Sequence, residues 1–295
     1  MEQAIFDQLL PHENVIANFR RWKQFEPRAG DIFVCTPGKC GTTWMQTICC
    51  NLVRPDGDFE ASVAEISPWI EAMFQPEEDM HAAINRMTKR RVLKSHSPAT
   101  SVPWFDHSKY IFVGRDGRDA FMSWLNHNER LKIIDDLNRQ AQERNLPPMP
   151  KYTGDPHAFF EAWLQQKDAY FGMIATYWEQ RHRENLLLVH YADLKADLEG
   201  EVRRIAEFLE LNLTDAQLTR VVERCTFEYM REHPEMVGGF EAFEGGLKGF
   251  IFKGTNGRWK DVLTESELAA YEARLSELVP PDAAAWTKQG RKALT

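Results

Sequence analysis

The chain is short of several things, and each shortage removes a class of function. No apolar run among its 295 residues approaches the roughly 20 residues that a bilayer-spanning helix needs. The start, MEQAIFDQLLPHENV, lacks a charged-then-apolar leader, so a cytoplasmic location and no membrane insertion are expected. Positive charge is scarce: 36 Lys and Arg face 44 Asp and Glu, a net charge of −8. That balance argues against nucleic acid or an anionic surface as partner, and an anionic ligand would need a local cationic pocket. Cysteine is sparse and odd in number, and Cys35, Cys40, Cys49, Cys50 and Cys225 lack zinc-ligand spacing. Internal repeats, low-complexity tracts and the Walker A order G-x-x-x-x-G-K-[ST] are also missing.

What is present is a soluble composition, 43% hydrophobic and 27% charged, arranged as strands alternating with helices. Ile32–Cys35, Arg90–His96, Lys109–Asp116 and Asn185–Tyr191 read as short buried strands. Helical patterns follow over Trp44–Cys50, from Ala120 to Leu131 with Asp119 as cap, over Pro156–Arg183, Leu198–Leu209 and Thr264–Leu278. The alternation implies right-handed βαβ units, and so a single α/β domain over 1–295 with a central parallel sheet flanked by helices. Residues 1–30, with apolar spacing from Ile5 to Phe25, read as a helical lead-in. Segments 138–155, rich in proline, and 237–257, with seven glycines, read as mobile loops over the site.

Between the first strand and its helix lies Thr36-Pro37-Gly38-Lys39-Cys40-Gly41-Thr42-Thr43. Strand, small-residue turn and helix is the geometry that aims free backbone N–H groups and a positive helix end at a phosphate. Open parallel sheets bind ligands beyond the carboxyl ends of their strands. That rule gathers Lys39, Lys94, His96, Arg115 and Tyr191 on one rim. Any one alone reads as a solvated strand-end residue; together they suggest an anionic ligand with more than one phosphate-like group. His96 follows Lys94 by two residues and shares its side of an extended strand. Nearby cations disfavour its protonation, which suits a general base.

The order P-x-K-x-G-T-T-W, from Pro37 to Trp44, resembles the 5′-phosphosulfate loop of the sulfotransferases that use 3′-phosphoadenosine 5′-phosphosulfate (PAPS). Further motifs are similar to that family's in the same order: Lys94-x-His96, R-D-x-R-D-x-x-x-S from Arg115 to Ser123, and Y-A-D-L-K from Tyr191. Cys225-Thr226-Phe227-Glu228-Tyr229-Met230 and Lys253-Gly254-x-x-Gly257-x-Trp259-Lys260 complete the set. The resemblance implies one α/β domain related to nucleotide kinases, and sulfuryl transfer from PAPS to a hydroxyl of a small apolar or phenolic acceptor, leaving 3′-phosphoadenosine 5′-phosphate (PAP), without a metal. It implies His96 as base, Lys39 on the bridging and leaving oxygens, and Lys94 steadying the sulfonate. Cys40, Gly41, Thr42 and Thr43 then belong to the 5′-phosphate cradle, and Arg115 and Ser123 to the 3′-phosphate site. Trp44 and Phe227 would sandwich the adenine, with Tyr191, Thr226 and Met230 beside it and Lys253 and Gly254 closing the donor site.

The chain departs from the family pattern in places. Phe252 stands where the family has Arg, and Arg258, in place of Asp, is expected to restore the charge. Cys40 replaces Ser; a thiol at a helix start beside Lys39 is expected to have a depressed pKa and to be alkylation-sensitive. Of the family dimer pattern K-x-x-x-T-V-x-x-x-E, Lys260 and Thr264 remain while Glu265 and Ala269 differ, which leaves the oligomeric state open. Pro68, Trp69, Met73, Phe74 and Trp104 are the expected acceptor wall. Two rival readings use the same sheet: a P-loop-like nucleotide kinase or NTPase, which would want a Walker A lysine and a magnesium-holding Asp, and a non-catalytic nucleotide-binding module.

Overall fold

Four parallel strands make the core, because four apolar segments are each buried on both faces. In the computed structural model, which describes residues 3–251 and 254–294, they are β1 (Ile32–Cys35), β2 (Val92–Ser95), β3 (Lys109–Gly114) and β4 (Leu186–His190). Their order across the sheet is β2-β1-β3-β4. Successive residues of a strand point to opposite faces, and the packing follows that alternation. Phe33, Cys35, Leu93, Tyr110 and Phe112 lie in one aromatic-rich core with Phe121, Trp163, Tyr177 and Trp286. Ile32, Val34, Val92, Ile111, Val113 and Val189 lie in a second core with Met45, Ile48, Val202 and Val221.

The chain leaves β1, crosses to β2 on one side, then returns to β3 on the other side of β1. Strand order therefore reverses at the carboxyl end of β1, where a crevice opens for a ligand. Register fixes that rim: Cys35 pairs with Ser95 and Phe112, and Gly114 with His190. Thr36, His96, Arg115 and Tyr191 each follow a strand end there.

Nothing larger than glycine fits at Gly114, the last residue of β3. A Cβ on it would approach Trp286 to 2.3 Å, and Trp286 belongs to the buried face over Phe112. Gly114→Ala is expected to destabilise the fold by about 1–3 kcal/mol, the usual range for overpacking. A thermal unfolding midpoint equal to the parent's would contradict that packing.

Helix Pro281–Gln289 and the turn after it fasten the end of β4. His190 Nε2 donates to the carbonyl of Thr287 at 2.9 Å, and Asp193 accepts from the backbone N–H of Arg291 at 2.8 Å. The Arg291 guanidinium pairs with the buried Glu201 at 2.9 Å.

Several expectations need correction. The lead-in over Ile5–Phe25 is not one helix: a single turn, Gln3–Phe6, and a 3₁₀ segment, Phe19–Gln24, bracket irregular chain. Tertiary hydrogen bonds capture that chain, from Leu10 N–H to Thr100 and from Asn18 N–H to Glu71. Pro156–Arg183 divides into helix Pro156–Leu164, a wider π segment Lys167–Gly172 and helix Met173–Glu179. The expected loop at 138–155 begins inside helix Ile134–Glu143, and 237–257 contains the short helix Gly246–Phe250. Asp116, not Asp119, caps helix Gly117–Arg130, accepting from Arg118 N–H at 2.9 Å.

Candidate active site

The turn after β1 is shaped by two residues in the left-handed region, Lys39 (φ 68°) and Gly41 (φ 102°). A Cβ on Gly41 would meet the Tyr191 ring at 2.8 Å, so glycine is required by both the backbone and the neighbour. Helix Thr42–Leu52 starts at Gly41 with no side-chain cap. The first N–H groups of a helix lack intrahelical partners, so this start is a donor site with a positive end. Thr42 is buried with its hydroxyl against that of Thr36, and the Thr43 carbonyl accepts from Thr47 at 2.8 Å.

His96 is held from behind. Its Nδ1 lies 2.6 Å from the carbonyl of Thr36. A carbonyl can only accept, so Nδ1 carries the proton and Nε2 keeps its lone pair. The ring stands edge-on to Trp69, centroids 4.9 Å apart at 85°. Burial, with Lys94 and Lys39 nearby, lowers its pKa to about 3, so the imidazole is neutral through the physiological range. Lys94 lies over the face of Trp69, 4.7 Å from the centroid, and burial lowers it to about 8.

Lys39 is half-buried between two other cations. Burial first, then Arg115 and Lys94, bring it down to about 7. Its ammonium lies 3.1 Å from His127 Nδ1 and 5.0 Å from the centre of the Phe250 ring. Arg115 is buried, donates to the carbonyl of Lys39 at 3.1 Å and to Asn256 Oδ1 at 2.9 Å, and lies 4.1 Å over Tyr191. Its Nε is buried with no hydrogen-bond partner among the described residues. A buried donor without a partner costs free energy, so this guanidinium fits a site that receives an anion. Ser123 lies half-buried on helix Gly117–Arg130 of the same side. Asp119 accepts from the backbone N–H of Gly257 at 2.6 Å, tying the glycine-rich segment to that helix. Arg258 donates to the carbonyl of Met122 at 3.1 Å; burial, then Arg115, lower its pKa, and Asp119 opposes them.

The aromatic side of the rim is built as a nest. Trp44 donates Nε1–H to the Cys225 carbonyl at 2.7 Å and meets Tyr191 edge-on at 5.4 Å. Thr226 caps helix Phe227–Glu232 and donates to Glu223, so its hydroxyl is already engaged. Met230 is buried in a small cluster with Val237 and Leu247, against which Trp44 packs. Phe227 begins the helix and is crowded by Gly254, where a Cβ would come within 2.9 Å of the ring. The Gly254 carbonyl accepts from Lys195 at 2.6 Å. Lys253 and Phe252 lie outside the described residues.

Sulfotransferase-domain similarity covers nearly the whole of this architecture: the family model of that description matches residues 29–279. The chain belongs to the sulfotransferase family. A glycolipid sulfotransferase of Mycobacterium tuberculosis is 30% identical, over 99% of this chain and 97% of the relative. Human sulfotransferase 1C2 is 26% identical, over 85% of this chain and 84% of its own. Among solved structures, a mouse sulfotransferase complexed with PAP superposes with a TM-score of 0.70 at 19% identity, covering 93% of both chains. A retinol dehydratase complexed with retinol and PAP gives 0.66 at 22% identity, over 88% of this chain and 83% of its own. At these identities the structural likeness speaks for the fold.

Within this sulfotransferase two expectations fail. Cys40 is fully buried. Desolvation outweighs Arg115 and Lys39 and pushes its thiol up to about 12, the reverse of an activated cysteine. Iodoacetamide at pH 8 is expected to leave Cys40 unlabelled in the folded protein, with or without PAP, and to label it after denaturation; peptide mass spectrometry reads the outcome. Trp104 is not on the acceptor side. It donates to Ala99 at 3.1 Å and packs on Tyr110, at the far end of β3, and on Tyr177. Trp69 does adjoin His96, and the exposed Phe74 lies 5.9 Å from Trp69.

Sequence reasoning missed His127, Phe250 and Asn256. A signal existed for the first: His127 lies four residues after Ser123, on the same face of one helix.

Proposed function

We propose that this sulfotransferase transfers the sulfuryl group of PAPS to a hydroxyl of a small apolar or phenolic acceptor. The observation that carries the reading is His96: a neutral imidazole, its Nδ1 proton committed to Thr36, its Nε2 free to take a hydroxyl proton, beside Lys39 and Lys94. The buried, underused donors of Arg115 and the uncapped start of helix Thr42–Leu52 fit a donor with phosphates at two positions. Gly41, Thr42, Thr43 and the Cys40 backbone would hold the 5′-phosphate. Arg115 and Ser123, with Arg258 contributing the charge absent at Phe252, would hold the 3′-phosphate. Trp44, Phe227, Tyr191, Thr226, Met230 and Gly254 would form the adenine wall.

Sulfuryl transfer breaks one S–O bond while the acceptor oxygen attacks sulfur in line. His96 accepts the hydroxyl proton, Lys39 stabilises charge that grows on the departing phosphate oxygen, and Lys94 stabilises the transferring sulfonate. Trp69, Met73 and Phe74 offer an apolar acceptor surface, and the relative from M. tuberculosis adds glycolipids to the classes worth testing.

The test is a screen of phenols, aliphatic alcohols and glycolipids with ³⁵S-labelled PAPS, with and without chelator. Labelled sulfate ester formed independently of added magnesium is the expected result. ATP-dependent phosphoryl transfer without sulfation would favour the kinase reading instead.

A further inference from the structure

Lys39 is gripped at both ends. Its backbone carbonyl accepts from Arg115, and its ammonium meets His127 Nδ1 at 3.1 Å. Among the described residues, His127 is the ammonium's one hydrogen-bond partner. His127 itself has little freedom: it lies flat against Trp124, centroids 4.8 Å apart at 15°, with Phe243 edge-on at 4.7 Å. Phe243 is fixed in turn by a bridge to Leu131, and Phe250 closes the other side of the ammonium. A lysine has four rotatable bonds and loses considerable freedom when held. An aromatic slot that presents one nitrogen to it supplies that restraint.

We propose that His127 is the positioning residue for Lys39, its Nδ1 lone pair fixing the ammonium where the departing phosphate oxygen must be met. The inference rests on the reading of Lys39 given above. The charged and titratable groups facing the pair do not offer a substitute. Lys39 faces Arg115 and Lys94, both repulsive, and the Cys40 thiol; His127 faces Lys39, Lys94 and His96. Burial and these neighbours keep His127 neutral, so it accepts at Nδ1 and carries its proton on Nε2. The ammonium keeps two further N–H donors for an anionic ligand.

Two substitutions separate positioning from packing. His127→Phe keeps an aromatic ring between Trp124 and Phe243 but removes the acceptor. His127→Asn keeps an acceptor near the Nδ1 position but loses most of the ring. The pH dependence of Lys39 modification by trinitrobenzenesulfonate, read on the peptide by mass spectrometry in the enzyme alone, reports the ammonium directly. From a midpoint of about 7 in the parent, H127F is expected to lower it by about one pH unit, the equivalent of one charge-assisted hydrogen bond, and H127N to restore it. With PAPS, the alkaline limb of kcat/KM should move by the same amount in H127F and return in H127N. An H127F enzyme with the parent's midpoint and limb, and a damaged H127N, would make His127 a packing residue and overturn the proposal. Should the larger ring not be accommodated, His127→Ala gives the same comparison. A parent enzyme that modifies no acceptor with PAPS would defeat the functional reading, while the Lys39 midpoints still test the positioning.

Discussion

His96→Ala is expected to lower turnover with PAPS by about 10²–10⁴-fold, the range of a lost general base, and to leave PAP affinity close to the parent's. The split follows from what His96 touches. Its contacts are Thr36, Trp69 and the two lysines' field, not the helix start or Arg115 that would hold phosphates. On the proposed role, removing it would take away a proton acceptor worth about 3–5 kcal/mol of barrier and little binding. His96→Gln serves as the control: it retains volume and an N–H for the Thr36 carbonyl but cannot take the proton, and it should be as slow as the alanine variant. Single-turnover rates beside calorimetric PAP titrations make the measurement. Parent-like rates in both variants would leave His96 a structural residue and favour a binding module; PAP affinity lost in step with the rate would make it part of the loop's scaffold.

Lys39→Met should cost about 10²–10³-fold in kcat, comparable to removing one preorganised donor from a site of growing negative charge. Methionine keeps much of the stem against Phe250 and removes the ammonium. Part of the loss should also appear as weaker PAP binding, because the same charge attracts phosphate before reaction. The parent's pH profile carries the same information. His96 is depressed to about 3, so a base at His96 would be ready across the neutral and mildly acid range and would give no limb there. Lys39 at about 7 and Lys94 at about 8 are charged below those values and lose charge above them. The kcat/KM for PAPS, which reports the free enzyme, should be level from pH 5 to about 6.5 and fall as pH rises through the two lysines. In Lys39→Met the first of these descents should disappear. A bell with an acid limb near the ordinary histidine value would contradict the burial of His96.

Much of this site was legible because the physics behind it is local. Each strand is buried on both faces, so Ile32–Cys35 and Lys109–Gly114 stand out as apolar runs ending in a small residue or a cation. The turn from Pro37 to Thr43 announces itself by its small residues and its displaced lysine. Contacts made across the fold are less visible. His127 looks like a polar residue on an ordinary helix until the chain from 237 onward folds Phe243 and Phe250 against it. Ile5–Phe25 has helical spacing, but the carbonyls of Thr100 and Glu71 claim N–H groups that a helix would have used. Cys40 misled for a related reason: a neighbouring lysine suggests a lowered pKa only while water reaches the thiol, and the fold leaves none of its surface exposed. The cap at Asp116 rather than Asp119 is a shift of three residues that frees Asp119 to hold Gly257.

The fastening of β4 has a mechanical reading. Thr287 and Arg291 grip His190 and Asp193, the residues on either side of Tyr191 and Ala192, while Glu201 anchors the Arg291 guanidinium. A force applied at residues 287–291 is therefore delivered to the carboxyl end of the sheet, through a few short hydrogen bonds. Under tension from that side, Tyr191 and the Arg115 guanidinium lying on it should yield before β1 and β2 do, and occupancy of the donor site should raise the force at which they give way.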